Sequence, residues 1–101
     1  MVFVVLDKFE IFNVYLFCFE SDWRFRSEKL QEAKGFVHFE LMRGKCSDIF
    51  TTYHCQTKWV SKEYFLNWLN SEHFMEIREE IASNFTFHYS IPKHECFELV
   101  I

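Results

Sequence analysis

The sequence predicts an α+β domain of ferredoxin-like type, β-α-β-β-α-β with an antiparallel sheet, and three observations predict it. Segments of period-two apolar alternation flank segments whose apolar residues recur at helical steps of three, four and seven. The chain has 101 residues, enough for one domain (1–101) and too few for two. Half of it is hydrophobic and 21% aromatic, with 2 Gly and 1 Pro, which excludes disordered, collagenous and low-complexity classes. So many rings exceed what a domain this small can enclose alone. Some are expected at a partner interface or around a pocket.

The elements follow in order. Residues 2–11 read as a strand in which Phe3, Val5, Asp7 and Phe9 share one face. Asn13 is an expected N-cap for a long helix whose stripe is Leu16, Phe19, Trp23, Leu30 and Ala33, with Gly35 as its left-handed terminus. Residues 14–19 are apolar almost all round, which suits deep burial or a partner contact. Residues 36–43 and 49–60 read as a hairpin around a polar turn at 44–48. Ser61 and Ser71 are expected N-caps of two short helices, or one kinked helix, over 61–83, with Tyr64, Phe65, Trp68, Leu69, Phe74, Ile77 and Ile81 at helical spacing. Residues 85–91 and 95–101 read as strands split by Pro92, the last with Phe97, Leu99 and Ile101 on one face.

Charge and cysteines narrow the function. Fifteen acidic and 11 basic side chains give a net charge of −4, with no basic run, which argues against nucleic acid. The stretch Lys34 to Phe39 half resembles the aromatic signature of RNA-recognition domains. It places Val37 and His38 where that signature needs a small residue and an aromatic, and it falls on the wrong strand. Cys18, Cys46, Cys55 and Cys96 form no C-x-x-C pair, so free thiols acting as small buried hydrophobes are expected. The opening residues lack a secretory pattern and no apolar run is long enough to span a membrane, so a soluble cytoplasmic protein is expected. No nucleophile–His–acid signature is present.

Three segments carry a family resemblance. The first is Trp23 to Phe39 with Arg43, where Gly35-Phe36-Val37 leads into a strand. The second is Thr57 to Glu63, and the third is Phe65 to Phe74. The run W-x-S-x-x-x-F-x-x-W-x-x-S-x-x-F, from Trp59 to Phe74, is the most specific. Together they resemble the antibiotic biosynthesis monooxygenase family of dimeric α/β barrels, near its small haem-degrading members. The resemblance implies a homodimer whose sheets pack face to face, and a pocket between sheet and helices for a small planar hydrophobic ligand. It implies a monooxygenase, with haem as cofactor or with none. In that pattern an Asn on the first strand, a Trp ending the third and a haem-ligating His on the last helix form the site. Here those positions hold Asp7, Trp59 and Arg78.

The departures have chemical content. A guanidinium has no lone pair for iron, and an ionised carboxylate accepts hydrogen bonds but cannot donate one. Asp7 is therefore expected to be a pocket acid or base, a partner for Arg78, or a strand-end residue near water. Trp59 is expected to be the wall for a planar ligand, with Tyr53 beside it on the same strand face, or else core packing at the strand-to-helix junction. Arg78, four residues after Phe74, is expected to point roughly the same way, as an anion or propionate clamp, or else to be a solvated helix charge paired with Glu79 or another neighbour. His38, His54, His73, His88 and His94 are possible iron ligands, each expected first as a surface or core residue because a metal site needs convergence in space. Three functions stay open: a haem-binding or haem-degrading enzyme, a cofactor-independent oxygenase on a phenolic or quinone-like molecule, and a non-catalytic dimer. Phe97 and part of the paired-strand set Phe36, Phe39, Phe50 and Tyr53 are expected to face the second protomer's sheet.

Overall fold

The computed structural model describes residues 1–83 and 85–101, with backbone alone at 80–83, so the expected inward place of Ile81 lies outside the described side chains. Four strands form one antiparallel sheet: β1 (Phe3–Phe12), β2 (Phe36–Cys46), β3 (Phe50–Trp59) and β4 (Lys93–Glu98), in the order β2-β3-β1-β4. Three helices, α1 (Leu16–Leu30), α2 (Lys62–Leu69) and α3 (Glu72–Ser83), cover one face. This is the ferredoxin-like architecture expected from the pattern. No helix among the described residues is long and apolar enough to cross a membrane.

Alternation decides which side of the sheet is core. On β3 every odd residue from Thr51 to Trp59 is buried and every even one is partly exposed. On β1 Phe3, Val5 and Ile11 are buried on the matching face. Register pairs Phe3 with Trp59, Val5 with Thr57 and Phe9 with Tyr53. One core cluster joins Phe3, Val5, Leu30, Trp59, Trp68 and Ile77, and a second joins Ile11, Phe19 and Tyr53.

The ends of elements differ from expectation for local reasons. Asn13 caps no helix. Its Nδ2 donates to the Ser47 carbonyl (2.8 Å) and its Oδ1 accepts from Thr51 Oγ1 (2.8 Å), which ties the end of β1 to the β2–β3 turn. α1 therefore starts after a 3₁₀ turn at Asn13–Tyr15, leaving Val14 and Phe17 exposed and Phe19 buried. β2 runs past the expected turn to Cys46 through a register shift between Arg43 and Cys46. Ser71 does cap α3, its Oγ accepting from Phe74 N–H (3.2 Å), whereas Ser61 makes no side-chain cap.

Residues 85–91 do not form the expected strand. They make a 3₁₀ turn, Phe85–Phe87, and a single bridge from His88 to Ile11. Their rings find partners that a regular ladder would not give: Phe87 stacks on Tyr15 (4.7 Å) and Tyr89 on Phe50 (4.3 Å). The aromatics assigned to a second protomer also divide. Phe36 packs on Trp59, Phe39 stacks on Trp23, and Tyr53 lies against Phe19, all on the helix side. Phe97, paired with Val4, points to the helix-free face. Of the four thiols only Cys55 is buried.

Candidate functional site

The helices do not fill the space above β1 and β4. A largely apolar cavity of about 430 Å³ remains there, with His94 and Cys96 of the edge strand β4 in its lining. Trp59 and Thr57 form its floor, and Phe65, Trp68, Phe74 and Ile77 form the side given by α2 and α3. Trp59 is 0% exposed, gripped edge-on by Phe36 and Phe65 (both 5.6 Å), and its Nε1 donates to Thr57 Oγ1 (3.1 Å). With the indole nitrogen satisfied locally, this wall asks nothing polar of a ligand.

Six ionisable side chains interrupt the apolar lining: Asp7 from β1, Asp22 and Arg26 from α1, His88 before Pro92, and His94 and Cys96 from β4. Asp7 stands where alternation puts it, opposite Cys55 on β3 and His94 on β4. Burial in this apolar surround pushes its carboxyl up from 3.8 to about 6, with the charge of His94 acting the other way. Burial also raises the Cys55 thiol and holds the His88 imidazole below its ordinary value, Arg26 adding to the latter. Arg26 is 6% exposed, with its guanidinium 5.1 Å from the Trp23 ring centroid. Two buried donor or acceptor atoms of lining residues, Trp23 Nε1 and His88 Nδ1, make no hydrogen bond among the described residues. A polar ligand would satisfy such atoms.

Of the expected site residues the structure brings Asp7 and Trp59 to one cavity and places Tyr53 and Arg78 elsewhere. Tyr53 lines a shallower groove with Glu20, Arg24 and Arg43. Its hydroxyl donates to Glu20, which also accepts from Arg43, and burial with that bond pushes the phenol up to about 12. Arg78 is exposed on α3, and among the described residues no ion pair joins it to Asp7. Ile77 takes the inward direction, and the next residue turns about 100° away. Sequence reasoning missed Arg26, and took His94 only as one of five possible iron ligands, not as a neighbour of Asp7. The signal for Arg26 was present: it lies seven residues after Phe19, three after Trp23 and four before Leu30, on the stripe itself. His94 and Cys96 alternate with Phe97 and so share the face opposite to it.

Residues 18–80 match the family model for antibiotic biosynthesis monooxygenases. Comparison with curated proteins gives no match. Solved structures share the fold. SnoaB, a cofactor-independent oxygenase from Streptomyces nogalater, has 17% identity and a TM-score of 0.79 over 99% of this chain and 94% of that one. A protein of Caulobacter crescentus has 15% identity and a TM-score of 0.83, over 99% and 91%. MupZ from Pseudomonas fluorescens has 19% identity and a TM-score of 0.73, over 94% and 69%.

Proposed function

Because the chain belongs to the antibiotic biosynthesis monooxygenase family, we propose that it is a cofactor-independent monooxygenase acting on a small planar phenolic or quinone-like molecule. The observation that carries this reading is Asp7, a carboxyl with a pKa raised to about 6 on the wall of an otherwise apolar cavity, beside an aromatic floor. Such a carboxyl is ionised near neutrality yet basic enough to take a proton from an activated ring carbon or phenol. Arg26 lines the same space and supports the anion left behind. The substrate anion supplies the electrons: a ring CH₂ and O₂ become a ring carbonyl and water. SnoaB offers a precedent of fold for an oxygenase without cofactor. The test is oxygen uptake with 1,8-dihydroxy-9-anthrone, whose C10 methylene is the ring CH₂ of that step. Trp59→Phe is expected to lower kcat/KM about tenfold by loosening the ring wall. An unchanged value, or no uptake by the wild type, would overturn the reading.

Haem is the second reading of the same cavity, and the residue at the expected ligand position does not fit it. Arg78 is an exposed guanidinium with no lone pair for iron. Haemin added at micromolar concentration is expected to keep its free Soret band; a shifted band would favour haem. The non-catalytic reading needs Asp7 and Arg78 to fill the space as a pair, and the cavity beside Trp59 speaks against it.

The proposal extends to a homodimer through the helix-free face of the sheet. Phe97 is 46% exposed there, and Met42 and Leu99 are exposed as well. Light scattering at micromolar concentration is expected to give a dimer, and Phe97→Glu a monomer. A wild-type monomer at that concentration would contradict it.

A further inference from the structure

Asp7 sits inside the cavity wall, and any proton it takes from a bound ring has to leave while the ring still blocks the interior. The structure offers a short way out. β4 is the edge strand, and its His94 is the direct cross-strand partner of Asp7 on the same face. Directly opposed residues of an antiparallel pair hold their β-carbons about 4.5–5.5 Å apart. His94 lines the cavity and is also exposed to solvent, so one imidazole touches both sides. Imidazole is the side chain suited to accept and release a proton near neutrality.

The other groups around Asp7 do not offer this path. Cys55, opposite on β3, is buried and its thiol is pushed far up. Cys96 is two residues along β4, with its thiol also raised. Asp22 and Arg26 face the cavity from α1 and His88 from the segment before Pro92, where its imidazole is half-buried. The lining given by α2 and α3 is Phe65, Trp68, Leu69, Phe74 and Ile77, with no ionisable group among them.

We propose that His94 is the proton outlet of Asp7, a positioning residue that passes the abstracted proton from the cavity wall to solvent across the β1–β4 ladder. The inference rests on the oxygenase reading for the source of the proton. Each step balances. The substrate proton moves to the Asp7 carboxylate, then from the carboxylic acid through one intervening water to the His94 imidazole, and then from the imidazolium to water or buffer. The carboxylate is restored for the next turnover.

The experiment pairs two readouts on the full chain, with His94→Gln and His94→Lys as variants at an exposed position. The first follows the Asp7 carboxyl by ¹³C NMR as pH is varied, and needs no substrate. His94→Gln is expected to raise the Asp7 midpoint by about half a pH unit or more, because it removes the charge that favours carboxylate. His94→Lys keeps a cation and is expected to leave the midpoint near the wild-type value. The second is oxygen uptake with 1,8-dihydroxy-9-anthrone in dilute buffer. Both variants are expected to lower kcat about tenfold with KM little changed, and added imidazole to restore it. An Asp7 midpoint unmoved in His94→Gln, or a kcat insensitive to both variants and to imidazole, would overturn the proposal. A wild type that consumes no oxygen would overturn the oxygenase reading. The NMR titration would then still decide whether the two side chains are coupled.

Discussion

Asp7→Asn is expected to abolish most oxygen uptake and, above pH 6, to make the protein more stable. The two effects have one cause. Raising a carboxyl from 3.8 to about 6 means that the fold disfavours its ionised form. The folded state therefore holds the proton more tightly than the unfolded chain between those values. Stability falls as pH rises through that window, and above it the ionised group costs at most about 3 kcal/mol. An amide of the same shape carries no charge and avoids that cost. It also cannot accept a proton in the transition state, a loss of about 10²–10⁴ in rate for general-base catalysis. Thermal unfolding at pH 5 and pH 8 checks the first half: the variant's advantage should grow with pH. Oxygen uptake checks the second, and the wild-type kcat/KM should itself decline as pH falls below about 6, where Asp7 is protonated. If Asp7→Asn lost activity while losing stability at pH 8, Asp7 would be a structural residue and the base would have to be sought elsewhere on the wall.

That opposition between stability and activity explains why half of the candidate site was legible from the sequence. An acid at the third inward position of a strand otherwise holding Phe3, Val5 and Phe9 breaks a local rule without local compensation, and such breaks concentrate at functional sites. Trp59 was legible because its run with Ser61, Phe65, Trp68, Ser71 and Phe74 combines a strand end with a helical repeat. The rest depended on facts that sequence spacing does not contain. Arg78 follows Phe74 by one turn, but Ile77 occupies the inward direction and leaves Arg78 in solvent. His94 meets Asp7 only through the register of β4 on β1, and nothing before Pro92 announces that register. Residues 85–91 alternate like a strand because Phe85, Phe87 and Tyr89 are spaced by two. Phe87 and Tyr89 are used instead for stacking on Tyr15 and Phe50, and Phe85 is exposed. The helices and central strands were readable because burial on one face imposes a period. The edges, where one face is open, carried no such constraint.

The same dependence on backbone geometry makes Gly35→Ala the substitution with the largest expected effect on folding. Gly35 lies beyond the end of α1, after a closing turn in which Ala33 N–H donates to the Leu30 carbonyl (2.9 Å). Its φ is +81°, the left-handed region where a side chain is strained, and a β-carbon there would run into the Cβ and ring of Tyr64 on α2. Its carbonyl accepts from Val60 N–H (2.8 Å), which fixes the turn against the junction that carries Trp59 into α2. Alanine thus meets two penalties: an unfavourable backbone conformation and overpacking against a ring that is itself held by the fold. Together they are expected to cost about 2–4 kcal/mol. For a domain of this size that lowers Tm by at least about 10 °C. Urea unfolding of Gly35→Ala, Tyr64→Ala and the double variant separates the penalties. In the Tyr64→Ala background the collision is gone, so the cost of Gly35→Ala should shrink to the backbone part of about 1 kcal/mol. Equal costs in the two backgrounds would mean that Tyr64 moves aside freely, and that conformation alone demands glycine there.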